Sequence, residues 1–491
     1  MSILLHPMFP IVILFILFFM NVPIALSLIG SSLYYFAFIN KSLPLDMSIQ
    51  PVISTMQQFN YLAVPFFIML GSVMNYSGLS EKLMDFADVL AGHMKGGLAQ
   101  VNCLLSAFMG GITGSANADA AMESKILVPE MIKKGMPKDF SAAVTAASSS
   151  VSPVIPPGNN LIIYAMMVVQ IDVVLGSLRE SVTLNVSDMF LAGYTPGIVM
   201  TLAMMVTVYI IANKRNYAKS RDHFPGFGMI FRQFFRSIWA LCIPFVIILG
   251  MRIGWCTPTE AGAIASVFSF VVGIIAYKRI KLKHIPLIMK ETVQSTGSVM
   301  LIIAAAKLFG HYMTTERLPE MITQALMAMT SNKFLLLMVI NFLLLFVGMF
   351  IEGGAALVIL GPLLIQPVAR LGVDPLHFGV VLIINIMIGG LTPPFGSMMF
   401  TVCSIVGCKF QDFVREVWPF IVALLLVLVA MTYSEDFALA IPKFFGYKTL
   451  SDKAKELQKQ GKLDANGKET SFIINKAKDN IYTVTLNRSA V

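Results

Sequence analysis

The stretch "AASSSVSPVIPPGNN", residues 146–160, places four serines and three prolines inside an otherwise apolar run. Proline has no backbone N–H, so Pro153 and Pro156 leave the carbonyls near residues 149 and 152 without a helical partner. Within a bilayer, an unsatisfied carbonyl costs several kcal/mol, and a helix is interrupted only where another group satisfies the exposed oxygens. The rest of the chain decides whether this stretch lies in a membrane.

The composition is that of a multi-spanning membrane protein. Of 491 residues, 56% are hydrophobic and only 13% are charged, which is not the balance of a soluble globular protein. The net charge of +9 does not indicate nucleic acid, because the Lys and Arg residues lie between apolar segments and in the tail, without aromatic interleaving. The first apolar segment, 8–20, lacks a basic n-region and a small-residue cleavage site, so we expect it to be retained.

No enzyme or cofactor site emerges from the sequence. The six histidines are dispersed, and no GxSxG, HExxH or P-loop motif occurs. Asp119 and Glu352 are formally a carboxylate pair of an intramembrane protease, but the sequence context of such proteases is absent. The cysteines lack metal or CxxC spacing, and we expect them to be packing residues. They are Cys103, Cys242, Cys256, Cys403 and Cys408.

A window of about 19 residues finds apolar segments at 8–20, 22–38, 59–75, 95–110, 120–133, 141–170, 190–213, 237–253, 258–277, 291–312, 332–350, 355–368, 378–408 and 413–433. About 20 apolar residues are needed to cross a bilayer, so the shorter pieces are better explained as halves of re-entrant hairpins. The pairs 95–110 with 120–133, and 332–350 with 355–368, fit this description. The segments predict an all-α polytopic membrane protein with about 11 transmembrane helices, two re-entrant hairpins and amphipathic arm helices.

Basic loops predict the orientation. The densest Lys and Arg clusters outside the tail lie at 213–236 and 277–290, and both loops should be cytoplasmic. Continuing outward from each loop puts the first hairpin on the cytoplasmic side, the second hairpin on the outer side, and both chain ends outside. The absence of Lys and Arg before Lys41 agrees with an outer N-terminus.

The chain contains an internal repeat. Pro156 and Pro157 lie 237 positions before Pro393 and Pro394, and Gly135 lies the same distance before Gly372. Because the equivalent hairpins fall on opposite sides of the membrane, we infer an inverted repeat, which is typical of secondary transporters with a midplane site.

The predicted first repeat comprises scaffold helices 8–75, arm helix 77–93, hairpin 95–135, broken helix 141–170 and helix 190–213. A basic linker, 214–236, joins it to the second repeat. The second repeat comprises helices 237–312, arm helix 314–330, hairpin 332–368, broken helix 378–408 and helix 413–433. A polar extension, 445–491, follows and includes a β-prone stretch, "IYTVTL".

The polar breaks suit a sodium ion, which takes oxygen ligands from carbonyls and hydroxyls. Small residues alone indicate close helix packing just as well, and lone prolines often only kink a helix. Here the combination of a hairpin tip, hydroxyl side chains and a proline break occurs twice, at matching positions of the repeat. This combination favours a cation or substrate site. Asp119 and Glu352 are the acidic residues at the two tips, with a solvated turn as the alternative explanation.

Four motifs carry a family resemblance. They are "GGLAQVNCLLSAFMGGITGSANADAA", "AAVTAASSSVSPVIPPGNNLIIYA", "GWCTPTEAGAIA" and "FGVVLIINIMIGGLTPPFGSMMFTVCSIVG". From about residue 8 to 435 the chain resembles the large membrane subunit of tripartite ATP-independent periplasmic (TRAP) transporters. The resemblance implies an elevator-type, sodium-coupled importer of small organic anions in the bacterial inner membrane. It also implies a small four-helix membrane subunit and a soluble periplasmic substrate-binding protein as partners, beside membrane lipids and without nucleic acid.

The resemblance also implies site residues. With Ser150 added from the hydroxyl pattern, the first sodium site comprises Thr113, Ser115, Asn117, Ser150, Ser152, Ile155 and Pro156. The second comprises Gly353, Gly354, Gly389, Thr392 and Phe395, to which we add Glu352 as the acidic residue of the hairpin tip. The substrate set comprises Asp119, Ser149, Asn159, Thr315, Arg317 and Gly390.

Three departures from the family pattern stand out. Ser152 precedes Pro153 where many members have Gly, and Thr315 stands where many carry Arg. The connection near 171–188 and the tail after about 445 are longer than usual. Two other functions stay open: a single-component dicarboxylate or citrate elevator carrier, and a channel or non-transporting scaffold. The sequence does not identify which carboxylate is transported.

Overall fold

The computed structural model describes residues 6–20, 22–40, 45–110, 113–168, 171–175, 178–182, 184–221, 223–318, 321, 324, 332–370, 372–459, 472–476 and 482–486. These residues are almost entirely helical, as the apolar pattern predicts. The described residues also contain two short antiparallel strand pairs, one formed by residues 171–175 and 178–182 and one formed by residues 472–476 and 482–486 in the tail.

The helices of the first half are α1 (Phe9–Phe19), α2 (Ile24–Tyr34), α3 (Leu45–Met56), α4 (Ala63–Ser77), α5 (Leu79–Ala91), α6 (Gly97–Gly110), α7 (Ala116–Lys133), α8 (Lys138–Ser149), α9 (Asn159–Met167) and α10 (Val186–Arg215). Strands β1 (Ile171–Leu175) and β2 (Leu178–Val182) pair between α9 and α10.

The second half contains α11 (Phe227–Ile253), α12 (Pro258–Val271), α13 (Ile285–Thr315), α14 (Lys333–Phe350), α15 (Gly353–Arg370), α16 (Pro375–Gly389), α17 (Ser397–Val406) and α18 (Phe410–Tyr433). The C-terminal segment adds α19 (Glu435–Ala438), α20 (Ala440–Phe444), α21 (Leu450–Lys459) and the strand pair β3 (Phe472–Lys476) and β4 (Tyr482–Leu486). The β-prone stretch of the tail is thus a strand.

Six described helices are long and apolar enough to cross a membrane, or seven if the bent pair α4 and α5 forms one span. They are α10, α11, α12 with its π-helical extension to Ala276, α13 with the turn from Leu282, α14 and α18. Shorter apolar helices accompany them, including α6 and both halves of the second broken helix. The fold is therefore that of a multi-pass membrane protein, while the count of about 11 spans stays a prediction.

Matching elements lie 237 positions apart. Helix α7 and helix α15 begin and end at equivalent residues. Both proline pairs, Pro156–Pro157 and Pro393–Pro394, are joined by a cis peptide bond. Gly135 and Gly372 both have positive φ, +83° and +73°, which suits glycine at the turn after each hairpin. Their inverted orientation in the membrane stays a prediction.

Polar contacts tie each hairpin to its broken helix. In the first half, Asn102 of α6 donates to Thr145 Oγ1 at 2.8 Å and accepts from Ser148 at 2.7 Å. In the second half, Asn385 of α16 donates to Asn341 Oδ1 of α14 at 2.8 Å. Buried hydrogen bonds between membrane helices contribute roughly 0.6–2 kcal/mol each. The hairpins, broken helices, α10 and α18 pack together as one unit, called here the core unit.

A second group of helices packs beside the core unit. Helix α4 lies against α12, where Gly262 allows the backbone of α12 to approach Phe66 and Phe67. Ser266 donates to Phe66 O at 2.7 Å across this contact. Helices α2 and α13 also pack together, and Tyr35 donates to Glu316. We call α1 to α4 with α11 to α13 the scaffold unit.

Some element boundaries differ from the sequence expectation. Helix α10 runs to Arg215 and α11 begins at Phe227, so only the middle of the expected 214–236 linker is non-helical. At the end of α10, Arg215 pairs with Glu416 of α18 at 2.7 Å. The expected arm helix at 314–330 lies largely outside the described residues, and α13 continues to Thr315.

The C-terminal segment, residues 434–459, docks onto the core unit. Asp374, at the N-cap of α16, accepts hydrogen bonds from Tyr447 Oη at 3.0 Å and Leu450 N at 2.9 Å. Leu450 is buried, and Arg252 of α11 bonds both Asp188 of α10, at 2.8 Å, and Phe445 O. Burial, and the carboxylate of Asp374 beside it, raise the pKa of Tyr447 above its usual range, so its hydroxyl remains a donor.

Candidate functional site

A cavity of about 570 Å³ lies between the core unit and the scaffold unit. Its core wall consists of the first hairpin tip (113–118), the second hairpin tip (352–355), and residues from both helix breaks. Its scaffold wall consists of α4 around residues 68–75 and α13 from residue 291 to 303. Ligand sites in proteins commonly occupy about 300–1,000 Å³, so the cavity is large enough for a small organic molecule.

Four helix N-termini converge on this cavity. Helices α7, α9, α15 and α17 begin at Ala116, Asn159, Gly353 and Ser397, and each of these first residues lines the cavity. The free N–H groups and the dipole at a helix N-terminus favour negative charge. Since two of these helices come from hairpins and two from helix breaks, the breaks in the sequence place partial positive charge where the two halves meet.

The first hairpin tip covers a buried oxygen cluster. Thr113 Oγ1 donates to Asp119 Oδ1 at 2.5 Å and lies 3.4 Å from Ser152 Oγ. Asp119 is fully buried, and its Oδ2 has no hydrogen-bond partner within the described residues. The Oδ1 of Asn117 is likewise buried without a partner there. Buried oxygens without donors are suited to a cation.

Glu123 extends the cluster by one helical turn and was not predicted from the sequence. Ser106 Oγ lies 2.9 Å from each carboxylate oxygen of Glu123, and Ser149 Oγ lies 3.5 Å from one of them. Asp119 and Glu123 are four residues apart on α7 and therefore share a face. Among the ion pairs that the described residues form, none involves either carboxylate.

The second half offers mainly backbone oxygens. A Cβ on Gly389 would lie 2.7 Å from the Cα of Gly348, so glycine allows the hairpin and broken helix to touch. Thr392 Oγ1 donates to Ile388 O at 2.6 Å. Glu352 lies exposed at the tip, and Phe395 is 54% exposed beside Phe350. This half contains no buried carboxylate at the position equivalent to Asp119, where Ala356 stands.

The structure brings part of the predicted set to the cavity. Eight of the named residues line it: Thr113, Ser115, Asn117, Asn159, Glu352, Gly353, Gly354 and Gly390. The other named residues of the core unit do not line it: Asp119, Ser149, Ser150, Ser152, Ile155, Pro156, Gly389, Thr392 and Phe395. Thr315 and Arg317 are exposed at the end of α13 and do not line the cavity, and Thr315 donates to His311 O.

Other polar lining residues were missed. Ser72 and Asn75 of α4, Glu291, Ser295 and Ser298 of α13, and Asn160 and Ser397 of the core unit complete the list. The scaffold residues recur at helical spacing, which is the signal that they share one face. Within the described residues no three or more His, Cys, Asp or Glu side chains group as a metal site. The oxygens available are therefore those of hydroxyls, amides, carbonyls and the carboxylates already named.

Long apolar helices, two hairpins and a polar cavity at their meeting point define a polytopic membrane transport protein. The chain belongs to the family described as "Tripartite ATP-independent periplasmic transporter, DctM component", whose sequence model matches residues 11–437. The docked C-terminal segment lies largely beyond this match.

The chain is similar in sequence to known transporter subunits and in fold to a solved structure. It is 34% identical over 437 residues to the sialic acid TRAP transporter large permease protein SiaM of Vibrio cholerae, covering 88% of this chain and 97% of SiaM. It is 31% identical over 396 residues to the C4-dicarboxylate TRAP transporter large permease protein DctM of Pseudomonas aeruginosa, covering 80% and 88%. Its fold is similar to that of the YdaH transporter of Alcanivorax borkumensis (TM-score 0.57, 14% identity, 79% of this chain and 87% of that chain).

Proposed function

We propose that this chain is the large transmembrane subunit of a sodium-coupled, binding-protein-dependent importer of a small organic anion. The single observation that carries the proposal is the oxygen cluster in which Thr113, at the wall of a cavity lined by four helix N-termini, contacts the buried Asp119 and Ser152. One part of the site suits a cation and the other suits an anion. Their adjacency is what coupled transport requires.

The anion would bind in the cavity. Its acid group would face the N–H groups at the starts of α7, α9, α15 and α17. The relatives' names give sialic acid and C4-dicarboxylates as transported compounds, and all of these carry at least one carboxylate. A small carboxylate is therefore the substrate class that we propose.

The sodium ions would bind at the two breaks. In the first half the ligands would include Thr113, Ser152 and Asp119, and in the second half the carbonyls near Gly389 and Thr392. Thr113 lies both in the cavity lining and in the oxygen cluster. A cation at this cluster would hold the hairpin tip in place, which raises the affinity for the anion, and linkage makes the effect reciprocal.

The moving part would be the core unit. Its broken helices and hairpins are bonded to each other through Asn102 and Asn385, whereas the cavity separates much of it from α4 and α13. An elevator mechanism follows if the core unit carries the cavity past the scaffold unit. A small four-helix membrane subunit and a soluble periplasmic protein would complete the transporter, in the bacterial inner membrane with both chain ends in the periplasm.

Reconstitution of the three components tests this assignment. The large and small subunits are placed in proteoliposomes, the binding protein is added outside, and uptake of labelled carboxylates is followed. We expect uptake only when all three are present. Uptake without the binding protein would instead support a single-component carrier, and saturation-free ion conductance would support a channel.

A further inference from the structure

We propose that the cavity selects a hydroxylated organic acid with a single acid group, and that Asn160 and Ser397 form hydrogen bonds with its hydroxyl groups. The inference rests on the proposed function, because it names the substrate class of the same cavity. It follows from three observations: the charges of the lining, the positions of these two residues, and the hydrogen-bonding capacity that they leave unused.

The lining favours one acid group rather than two. Its two charged side chains are Glu291 and Glu352, and no Lys, Arg or His occurs among the described residues that line it. The helix N-termini on the core wall suit one carboxylate. A second carboxylate on the same molecule would find no cationic side chain among the described lining residues, which offer instead two further acids, Glu291 on the scaffold wall and Glu352 at the second hairpin tip.

The rest of the polar lining consists of neutral groups. Besides the two acids it contains serine, threonine and asparagine side chains on both walls. Hydroxyl and amide groups pair best with other hydroxyl, keto and amide groups. The lining therefore matches a molecule whose carbon chain bears several such groups.

Asn160 is the buried polar group best placed to bind them. It is 7% exposed, it lines the cavity, and it is the second residue of α9. Within the described residues its side chain makes one hydrogen bond, a weak one from Nδ2 to Met387 Sδ at 3.8 Å. Its Oδ1 lies near Gly354, where the second hairpin begins its inner helix. The amide thus reaches from the first half into the second with its bonding capacity largely unused.

Ser397 is the matching residue of the other half. It follows Asn160 by 237 positions, it is the first residue of α17, and it also lines the cavity. Within the described residues its backbone carbonyl accepts from Thr401 at 2.9 Å while its hydroxyl makes no hydrogen bond, and a Cβ on Gly390 would lie 3.6 Å from that hydroxyl. Two repeat-related positions, each in the first turn of the helix that follows a proline pair, therefore present an amide and a hydroxyl to one ligand.

Buried polar groups discriminate strongly. A ligand that lacks hydroxyls leaves the buried amide of Asn160 desolvated and unpaired, and sites of this kind reject the unsubstituted analogue far better than an apolar pocket rejects an added hydroxyl. We expect the half-saturating concentration of a hydroxylated monocarboxylate to lie at least tenfold below those of its unsubstituted and dicarboxylate counterparts.

Ligand binding to the purified complex of large and small subunits tests the inference. Thermal stabilisation in sodium-containing buffer is measured against gluconate, N-acetylneuraminate, hexanoate and succinate. The double variant Asn160→Ala with Ser397→Ala should lose at least tenfold in affinity for the hydroxylated acid that binds and leave the other two unchanged. Asn160→Ser provides a milder change if the double variant does not fold. Thr201→Ala, which removes a hydroxyl bonded within α10 to Gly197 O, is the matched control and should change nothing.

Three results would overturn the inference. They are equal or tighter binding of succinate or hexanoate, an unchanged preference in the Asn160 and Ser397 variants, and the absence of binding by both hydroxylated acids. None of these measurements uses a sodium gradient. Binding with the expected preference but without gradient-driven uptake would count against the proposed function and leave the selectivity assignment intact.

Discussion

The hydroxyl of Thr113 donates a 2.5 Å hydrogen bond to the buried carboxylate of Asp119. Thr113 also lines the cavity, so this bond connects the anion-facing side of the hairpin tip with the oxygen cluster behind it. Ser152 joins the same cluster from the broken helix. We therefore expect substitutions in this cluster to act mainly on the sodium dependence of uptake.

Replacing Asp119 with Asn removes the charged oxygen of the cluster while preserving its size. We expect the half-saturating sodium concentration of uptake to rise tenfold or more, which corresponds to about 1.4 kcal/mol. Glu130→Gln is the matched control, because Glu130 lies on the same helix but is exposed and pairs with Lys133. An unchanged sodium dependence in Asp119→Asn would contradict the assignment.

Two neighbouring serines should behave differently. Ser152 lies 3.4 Å from Thr113, whereas the hydroxyl of Ser150 donates to Ala147 O at 2.6 Å within its own helix. Ser152→Ala removes one neutral oxygen ligand, so it should raise the half-saturating sodium concentration of uptake, but less than Asp119→Asn does. Ser150→Ala should leave this concentration near that of the wild type. Sodium titrations of uptake for both variants make the comparison. Equal effects of the two substitutions would contradict the assignment of Ser152, and not Ser150, to the sodium site.

Gly379 should be essential for packing. A Cβ there would lie 2.2 Å from Cε1 of Tyr164, whose ring is fixed by a 2.7 Å bond from its hydroxyl to Pro375 O. Overpacking of this kind costs about 1–3 kcal/mol, so Gly379→Ala should lower the midpoint of thermal unfolding in detergent. Gly310→Ala, in a helix where nothing lies within 4 Å, should leave the midpoint unchanged or raise it.

Tyr447 should fasten the C-terminal segment. Tyr447→Phe removes the hydrogen bond to Asp374, and bonds to charged groups contribute about 1.5–3 kcal/mol. We expect faster proteolysis in residues 434–459 and a lower unfolding midpoint. Tyr209→Phe, on the exposed side of α10, is the control. If both variants resist protease equally, the docking is weaker than the contacts imply.

The repeat and its hairpins could be predicted from local sequence. Proline restricts the backbone and glycine permits conformations closed to other residues, so the match of Pro156 with Pro393 predicts matching helix breaks without reference to any tertiary contact. Apolar length is a weaker guide, because α14, predicted from its length to be half of a hairpin, is itself long and apolar enough to cross a membrane. Helices α7 and α15 begin and end at equivalent positions of the repeat, whereas the re-entrant course of the two hairpins stays a prediction.

Other features depend on residues that are distant in sequence. Glu123 joins the oxygen cluster because Ser106 and Ser149 approach its carboxylate. Asn160 lies at the cavity wall between the two halves because its side chain contacts the second hairpin. Tyr447 meets Asp374 across 73 positions, which no local pattern encodes. Arg317 is included in the substrate set because many family members carry an Arg near this position, but it does not line the cavity, which presents helix N-termini instead.

The most direct test of the account is uptake by the reconstituted tripartite system under an imposed sodium gradient. Vesicles loaded without sodium receive the labelled carboxylate and binding protein, with sodium either outside only, on both sides, or replaced by potassium. We predict accumulation above equilibrium with an inward sodium gradient, and no accumulation in the other two conditions. Equal accumulation when potassium replaces sodium would contradict sodium coupling and, with it, the role assigned to Thr113 and Asp119.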